Sequence, residues 1–260
     1  MWLCTIISCR QQPKNIVSPS LADSLISHYT EPQQLAANRA DIVFWKERID
    51  PARPGLVNEM KYASSLGGRF LLSGNVDDLL RSDSVLRVVD STFAHKEAAP
   101  VFSLALHALQ QHRFHEADSL LKMAKEIGLK KYESATASFD VAFESGQYPV
   151  AEAYLREFAD PNDYGYQFRK AKLAHYKGDL DTAIAAMEAA VRCAGQDIHL
   201  QQAALSNAAD LYLHNAAPQK AYDLYVRSIR LSSADLHSMM GLGWISLVHD
   251  GNDSLAEKIF

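Results

Sequence analysis

Three histidines lie close enough together in the sequence to raise the question of a metal site. His107, His112 and His115 are five and three residues apart, and imidazole is a common metal ligand. This spacing spans a turn that we predict between two helices, so the three rings need not converge. The nearest carboxylates are Glu116 and Asp118, and no cysteine lies nearby. We therefore interpret the segment as a solvated turn and predict no metal ligand.

Paired carboxylates also occur, and each pair lies at a predicted turn or helix start. Examples are Asp77 with Asp78 and Asp179 with Asp181. There, carboxylates accept hydrogen bonds from free backbone amides and favour the positive end of the helix dipole. The sequence has no glycine-rich phosphate loop, nucleophile elbow or HExxH motif. We therefore expect no catalytic residue, no cofactor and no enzymatic activity.

The cysteines indicate neither a disulfide framework nor a zinc site. There are three, Cys4, Cys9 and Cys193, without a CxxC pair. The segment Ile6-Ile7-Ser8-Cys9 resembles the lipobox of bacterial lipoproteins, which implies a lipid on Cys9, a shortened signal segment and tether over residues 1–20, and a place in the bacterial envelope, in the periplasm or on the outer membrane. A signal peptide has a basic start, and no basic residue precedes Cys9. A cytoplasmic chain is the alternative.

The composition is that of an ordinary globular protein that favours helices. Of 260 residues, 48% are hydrophobic, and there are only 12 glycines and 9 prolines. Lysine and arginine number 26 against 31 acidic residues, a net charge of −5, and no basic run occurs. A general nucleic-acid-binding protein needs a basic face, so we expect no nucleic-acid partner.

An alanine in an amphipathic context recurs along the chain at intervals of 34, 32, 38 and 35 residues. We call these alanines the anchors. They are Ala117, Ala151, Ala183, Ala221 and Ala256. A large apolar residue follows each anchor four positions later, and a turn precedes it by about five, with glycine at 146, 178 and 251. His112 and Ala216 occupy the same turn position without glycine. A divergent earlier copy runs through Gly74 and Leu79.

Each interval predicts two helices joined by a short turn, because apolar residues recur at helical spacing. One such hairpin cannot bury its own apolar face, so neighbours must stack. The pattern resembles the tetratricopeptide repeat (TPR) over residues 55–260. The resemblance implies an all-α, TPR-like α-solenoid of stacked antiparallel helix hairpins, with a helical cap over residues 21–54. The last repeat is incomplete, from which we expect the chain to be a fragment.

The resemblance also implies a groove lined by the first helix of each hairpin, where peptides bind. Positions seven, eight and eleven residues before each anchor, with Phe168 one turn earlier, give the candidates. The peptide-groove candidates are Asp140, Phe143, Phe168, Lys172, His175, Tyr176, Asp210 and His214. The same count from Ala256 reaches Ile245, Val248 and His249.

These features predict a non-enzymatic scaffold for protein–protein interactions, tethered to the bacterial envelope, with a protein or peptide partner bound in the groove. Contact with a membrane is expected only through a lipid on Cys9. Two alternatives stay open. One is an envelope lipoprotein that binds a small ligand or a sugar, and the other is the regulatory arm of a larger enzyme or sensor.

Overall fold

The structure is a computed structural model that describes residues 15–260, and regular secondary structure within that range is helical throughout. Cys9 and the lipobox-like segment lie outside the described residues. In chain order the helices are α1 (Pro19–Ser27), α2 (Gln33–Lys46), α3 (Val57–Ser73), α4 (Val76–Thr92), α5 (Ala98–Gln110), α6 (Phe114–Ile127), α7 (Lys131–Glu144), α8 (Tyr148–Glu157), α9 (Tyr164–Tyr176), α10 (Leu180–Cys193), α11 (Ile198–His214), α12 (Pro218–Leu231), α13 (Leu236–Trp244) and α14 (Asp253–Ile259), with a π-helical segment Ile245–His249 between α13 and α14.

The chain divides into two compact units. The central unit is residues 30–179 and contains α2 to α9, and the terminal unit contains α1 together with α10 to α14, residues 180–260. Neighbouring helices pack in pairs: α3 with α4, α5 with α6 and α7 with α8 in the central unit, and α11 with α12 and α13 with α14 in the terminal unit. This pairing confirms the predicted all-α fold of stacked antiparallel helix hairpins.

All five anchors are buried. Four have no exposed surface and Ala256 is 1% exposed. Of the large residues expected four positions later, Leu121, Leu155, Met187 and Tyr225 are buried. Phe260 is the exception, because it is 62% exposed. It follows the last residue of α14, Ile259, and its ring lies against Gly243 of α13.

The hairpin turns share a residue in the left-handed region of backbone conformation. These residues are Gly146 (φ 76°), Gly178 (φ 77°), Gly251 (φ 64°), His112 (φ 56°) and Ala216 (φ 52°). The amide that follows then donates to a free carbonyl of the preceding helix, as Ala217 N does to Tyr212 O at 2.8 Å. Glycine adopts this conformation without steric cost, whereas a Cβ atom makes it unfavourable.

The turn before α14 holds one additional residue. Asn252 N donates to Ser246 O, six residues back, at 2.9 Å, whereas Ala217 N reaches only five residues back. The π-helical segment Ile245–His249 accounts for the extra residue, since a π-helix closes its hydrogen bonds over one residue more than an α-helix. Positions counted back from Ala256 into α13 are therefore shifted by one.

The N-terminal segment is folded against the terminal unit. Val17 is fully buried and Ala22 is 1% exposed, and both belong to the hydrophobic cluster that includes Leu242 and Ile245. Ile16 and Val17 therefore pack on an apolar surface of this unit, whereas residues 18–20 are exposed. The domain boundaries at residues 20 and 54 stay a prediction.

We expect the substitution Ala216→Gly to stabilise the protein by about 0.5–1 kcal/mol. It removes the steric cost of a Cβ atom in the left-handed region, which exceeds the added entropy of the unfolded chain. The control is Ala203→Gly at an exposed position inside α11, which should destabilise the protein by about 1 kcal/mol. Urea unfolding measures both, and a loss of stability in Ala216→Gly would contradict this account of the turn.

Candidate peptide-binding groove

In the central unit, two ion pairs join the first helices of neighbouring hairpins. Arg169 on α9 donates from Nε to Asp140 Oδ1 at 2.9 Å and from Nη2 to Oδ2 at 2.5 Å. One turn further along, Lys172 Nζ lies 2.8 Å from Glu144 Oε1. The Arg169 and Asp140 side chains are only 21% and 22% exposed, and a bidentate pair fixes geometry well. These contacts hold α7 and α9 side by side as one surface.

Aromatic side chains continue this surface towards the ends of the same helices. The Phe143 ring lies 5.4 Å from Tyr148 and 6.3 Å from Tyr176, edge-on to both, and the two tyrosines stack. Lys172 Nζ lies over the Phe143 ring, 4.8 Å from its centre. Tyr176 is 52% exposed. We call Asp140, Phe143, Glu144, Tyr148, Arg169, Lys172 and Tyr176 the α7–α9 surface.

Two other sequence candidates, Phe168 and His175, also lie on α9. Phe168 stacks on Tyr164, with ring centres 5.6 Å apart. His175 is exposed in the last turn of α9. The structure thus brings Asp140, Phe143, Lys172 and Tyr176 together, while Phe168 and His175 flank them.

In the terminal unit, the first helices α11 and α13 border a cavity of about 700 Å³. We call it the α11–α13 cavity. Its lining residues are Asp210, Leu213, His214, Tyr225, His237, Met240, Gly241, Trp244 and Phe260. Three large apolar side chains of this lining are more than half exposed to solvent: Met240 (60%), Trp244 (54%) and Phe260 (62%). Two of the sequence candidates, Asp210 and His214, lie in its lining.

A partly exposed network around the Asp210 carboxylate forms the polar side of this cavity. The Tyr225 hydroxyl donates to Asp210 Oδ1, and His237 Nε2 lies 2.9 Å from Asp210 Oδ2. Burial raises the pKa of Tyr225, and the hydrogen bond to Asp210 raises it further. The hydrogen bond to Asp210 also raises the pKa of His237, and burial only partly opposes it. The network therefore favours an imidazolium beside a carboxylate.

The count from Ala256 missed the exposed residues of α13. It reached Ile245, which is 1% exposed, whereas its neighbour Trp244 lines the cavity. The prediction that Ile245 faces the groove is wrong because the π-helical segment inserts one residue between α13 and the anchor. Met240, one helical turn before Trp244, was missed for the same reason.

The clustered histidines do not converge. His107 Nδ1 lies 2.6 Å from Asp83 Oδ1, and the His112 ring packs edge-on against Phe114. Burial raises the pKa of Asp83, but the hydrogen bonds with His107 and Gln111 help to lower it below its ordinary value. Across residues 15–260, no group of three His, Cys, Asp or Glu side chains could hold a metal ion. Over the same range, no helix has the length and apolarity to cross a membrane.

The sequence matches no protein-family model and is similar to none of the curated proteins. Its structure is similar to several solved structures. One is the anaphase-promoting complex (APC/C) hetero-tetramer Cut9–Hcn1, with a TM-score of 0.64 and 16% identity over 93% of this chain and 44% of that one. Another is yeast Tom70, with a TM-score of 0.60 and 13% identity over 92% of this chain and 57% of that one.

A third similar structure is PilF of Pseudomonas aeruginosa, with a TM-score of 0.52 and 15% identity over 77% of this chain and 88% of that one. These neighbours are TPR proteins. The chain has the TPR fold. It spans less than half of the Cut9–Hcn1 chain and 57% of the Tom70 chain. The TPR fold is what places α7 beside α9 and α11 beside α13.

We expect His237 to titrate above its ordinary pKa of 6.5. Because the folded-state pKa is raised, the stabilising contact with Asp210 is complete below pH 6.5 and is lost as the pH rises through the folded-state value. An NMR titration of the His237 ring should show this, and Asp210→Asn should lower the midpoint. Asp223→Asn, on the exposed side of α12, is the control and should leave the midpoint unchanged. A wild-type midpoint at or below 6.5 would contradict this assignment.

Proposed function

We propose that this chain is a non-enzymatic scaffold that binds a peptide segment of a protein partner along the first helices of its hairpins. The observation that carries the proposal is the α11–α13 cavity, in which Met240 and Trp244 stand more than half exposed next to the Asp210 network. Aromatic and methionine side chains are enriched in the centres of protein interfaces. A cavity of this size accepts one or two apolar side chains of an inserted peptide.

The polar groups support a peptide rather than a purely apolar ligand. His237 and Asp210 offer a charged pair at the cavity edge, and such groups can bind the amides and carbonyls of an extended backbone. In the central unit, the exposed Tyr176 ring and the Lys172 amine supply a second contact area of the same kind. The similar Cut9–Hcn1 structure is itself an assembly of different protein chains, which supports a role in protein interaction.

The first test is selection of peptides from a displayed random library with the full chain as bait. We expect selected peptides that share a large apolar residue, because that residue would fill the α11–α13 cavity. Trp244→Ala should weaken their binding at least ten-fold, since truncating a central aromatic contact commonly removes about 2 kcal/mol. Fluorescence anisotropy with labelled peptides measures the change.

The matched control is a methionine outside the groove. Met123 on α6 is 41% exposed, so Met123→Ala should leave binding unchanged, whereas Met240→Ala should weaken it. Peptides that instead depend on Tyr176 would place the site on the α7–α9 surface and still support the proposal. Failure to select any peptide, or peptides unaffected by Trp244→Ala, Met240→Ala and Tyr176→Ala, would contradict it.

We further propose that a lipid on Cys9 tethers the scaffold to a bacterial envelope. The support is the lipobox-like sequence Ile6-Ile7-Ser8-Cys9. Mass spectrometry of the N-terminal peptide from a bacterial host tests this. A diacylglyceryl-modified Cys9 is the expected result, and an unmodified Cys9 would refute the anchor without affecting the groove.

A further inference from the structure

The terminal unit holds the chain's own N-terminal segment in a built site. The Asp250 side chain is 1% exposed. Its Oδ1 accepts from the amide of Ile16 at 3.0 Å and its Oδ2 from the amide of Val17 at 2.9 Å. His249 Nδ1 lies 2.9 Å from the same carboxylate. Two consecutive amides on one buried carboxylate make a strong, directional contact, because hydrogen bonds to an ionised group are about twice as strong as neutral ones.

Apolar packing and a helix cap complete this site. Val17 and Ala22 are buried in the hydrophobic cluster of the terminal unit, and Leu21, Leu25 and Ile26 pack against it. The helix that follows the two bound amides starts with its own signals, because Ser18 Oγ accepts from Leu21 N and Pro19 is its first residue. An ion pair between Lys258 and Asp23 joins α14 to α1. We call residues 15–27 the N-terminal segment and its contact site on α13, the π-helical segment and α14 the segment site.

The covalent arrangement makes the N-terminal segment resemble a bound ligand. After Tyr29 the chain continues into the central unit, and the next residue of the terminal unit is Leu180. Helix α1 has nine residues, too few to be stable alone in water. Contacts with the terminal unit therefore hold the segment in place. Because the segment is covalently linked to its site, the linking chain sets the effective concentration of the segment at that site.

We propose that the segment site is a peptide-binding site, filled in cis by residues 15–27 and able to bind the same sequence as a separate molecule. Its ligand is a short peptide with two consecutive free amides, then a Ser-Pro helix start and an amphipathic turn with an alanine on the buried face. Its polar contacts, made by Asp250 and Lys258, lie outside the lining of the α11–α13 cavity, whereas the apolar cluster around Val17 shares Tyr225 with that lining. The proposal does not require the groove function, and substitutions at Asp250 and at Trp244 let the two fail separately.

The test uses the full chain and a fluorescent synthetic peptide of residues 15–28. In the wild-type chain the cis segment competes, so we expect weak binding. Val17→Asp places a charge in an apolar site and should release the cis segment, after which the peptide should bind saturably. Adding Asp250→Asn to Val17→Asp should weaken peptide binding at least ten-fold, because it removes the carboxylate that accepts both amides. Adding Glu257→Gln, an exposed position on α14, should leave peptide binding unchanged.

Two results of the peptide experiment would overturn the proposal: no binding to Val17→Asp, or equal binding to both double variants. Circular dichroism checks that the helices persist in each variant. If the Val17→Asp variant loses its helices, hydrogen exchange of the backbone amides in the wild-type chain replaces the peptide experiment as the test. Exchange of the α1 amides while α11 and α12 stay protected would support a separable segment. Exchange of α1 only together with α11 and α12 would refute it.

Discussion

The whole structure depends on how closely two helices can approach at a small side chain. Within each unit, an anchor is a buried alanine on the second helix of a hairpin, as Ala117, Ala151, Ala221 and Ala256 are, and a larger side chain would hold the first helix away. Where the helices meet closely, the large residue four positions later fills the adjoining space, as Leu121, Leu155 and Tyr225 do. Because one hairpin leaves an apolar face uncovered, the next must stack on it. The repeat follows from this packing requirement.

The same packing positions the candidate functional surfaces. Stacking places first helices next to each other within a unit, so Asp140 faces Arg169 and Asp210 faces His237 across neighbouring hairpins. Side chains that point away from the helix pair are not needed for this packing, and here they include aromatic rings, charged groups and Met240. The hairpins thus provide a support, and the binding that we propose depends on the residues on its surface.

The sequence predicted the helical repeat and its phase well because the anchors, the turns and the large residues recur together. It also predicted four residues of the α7–α9 surface, since α7 and α9 are regular. It failed at Ile245 because a π-helical segment changes the residue count without changing the hydrophobic pattern. It also gave no sign that Val17 packs near Asp250, because that contact spans over two hundred residues and depends on tertiary packing alone.

The most direct test of the packing account compares buried anchors with exposed alanines two residues away on the same helix. Ala151 and Ala183 are buried, whereas Ala153 and Ala185 are exposed. Arginine at either anchor should lower the free energy of unfolding by about 3 kcal/mol or more, through overpacking and a buried charge. Arginine at either exposed alanine should change it by at most about 0.5 kcal/mol. Equal losses at buried and exposed positions in urea unfolding would contradict the account.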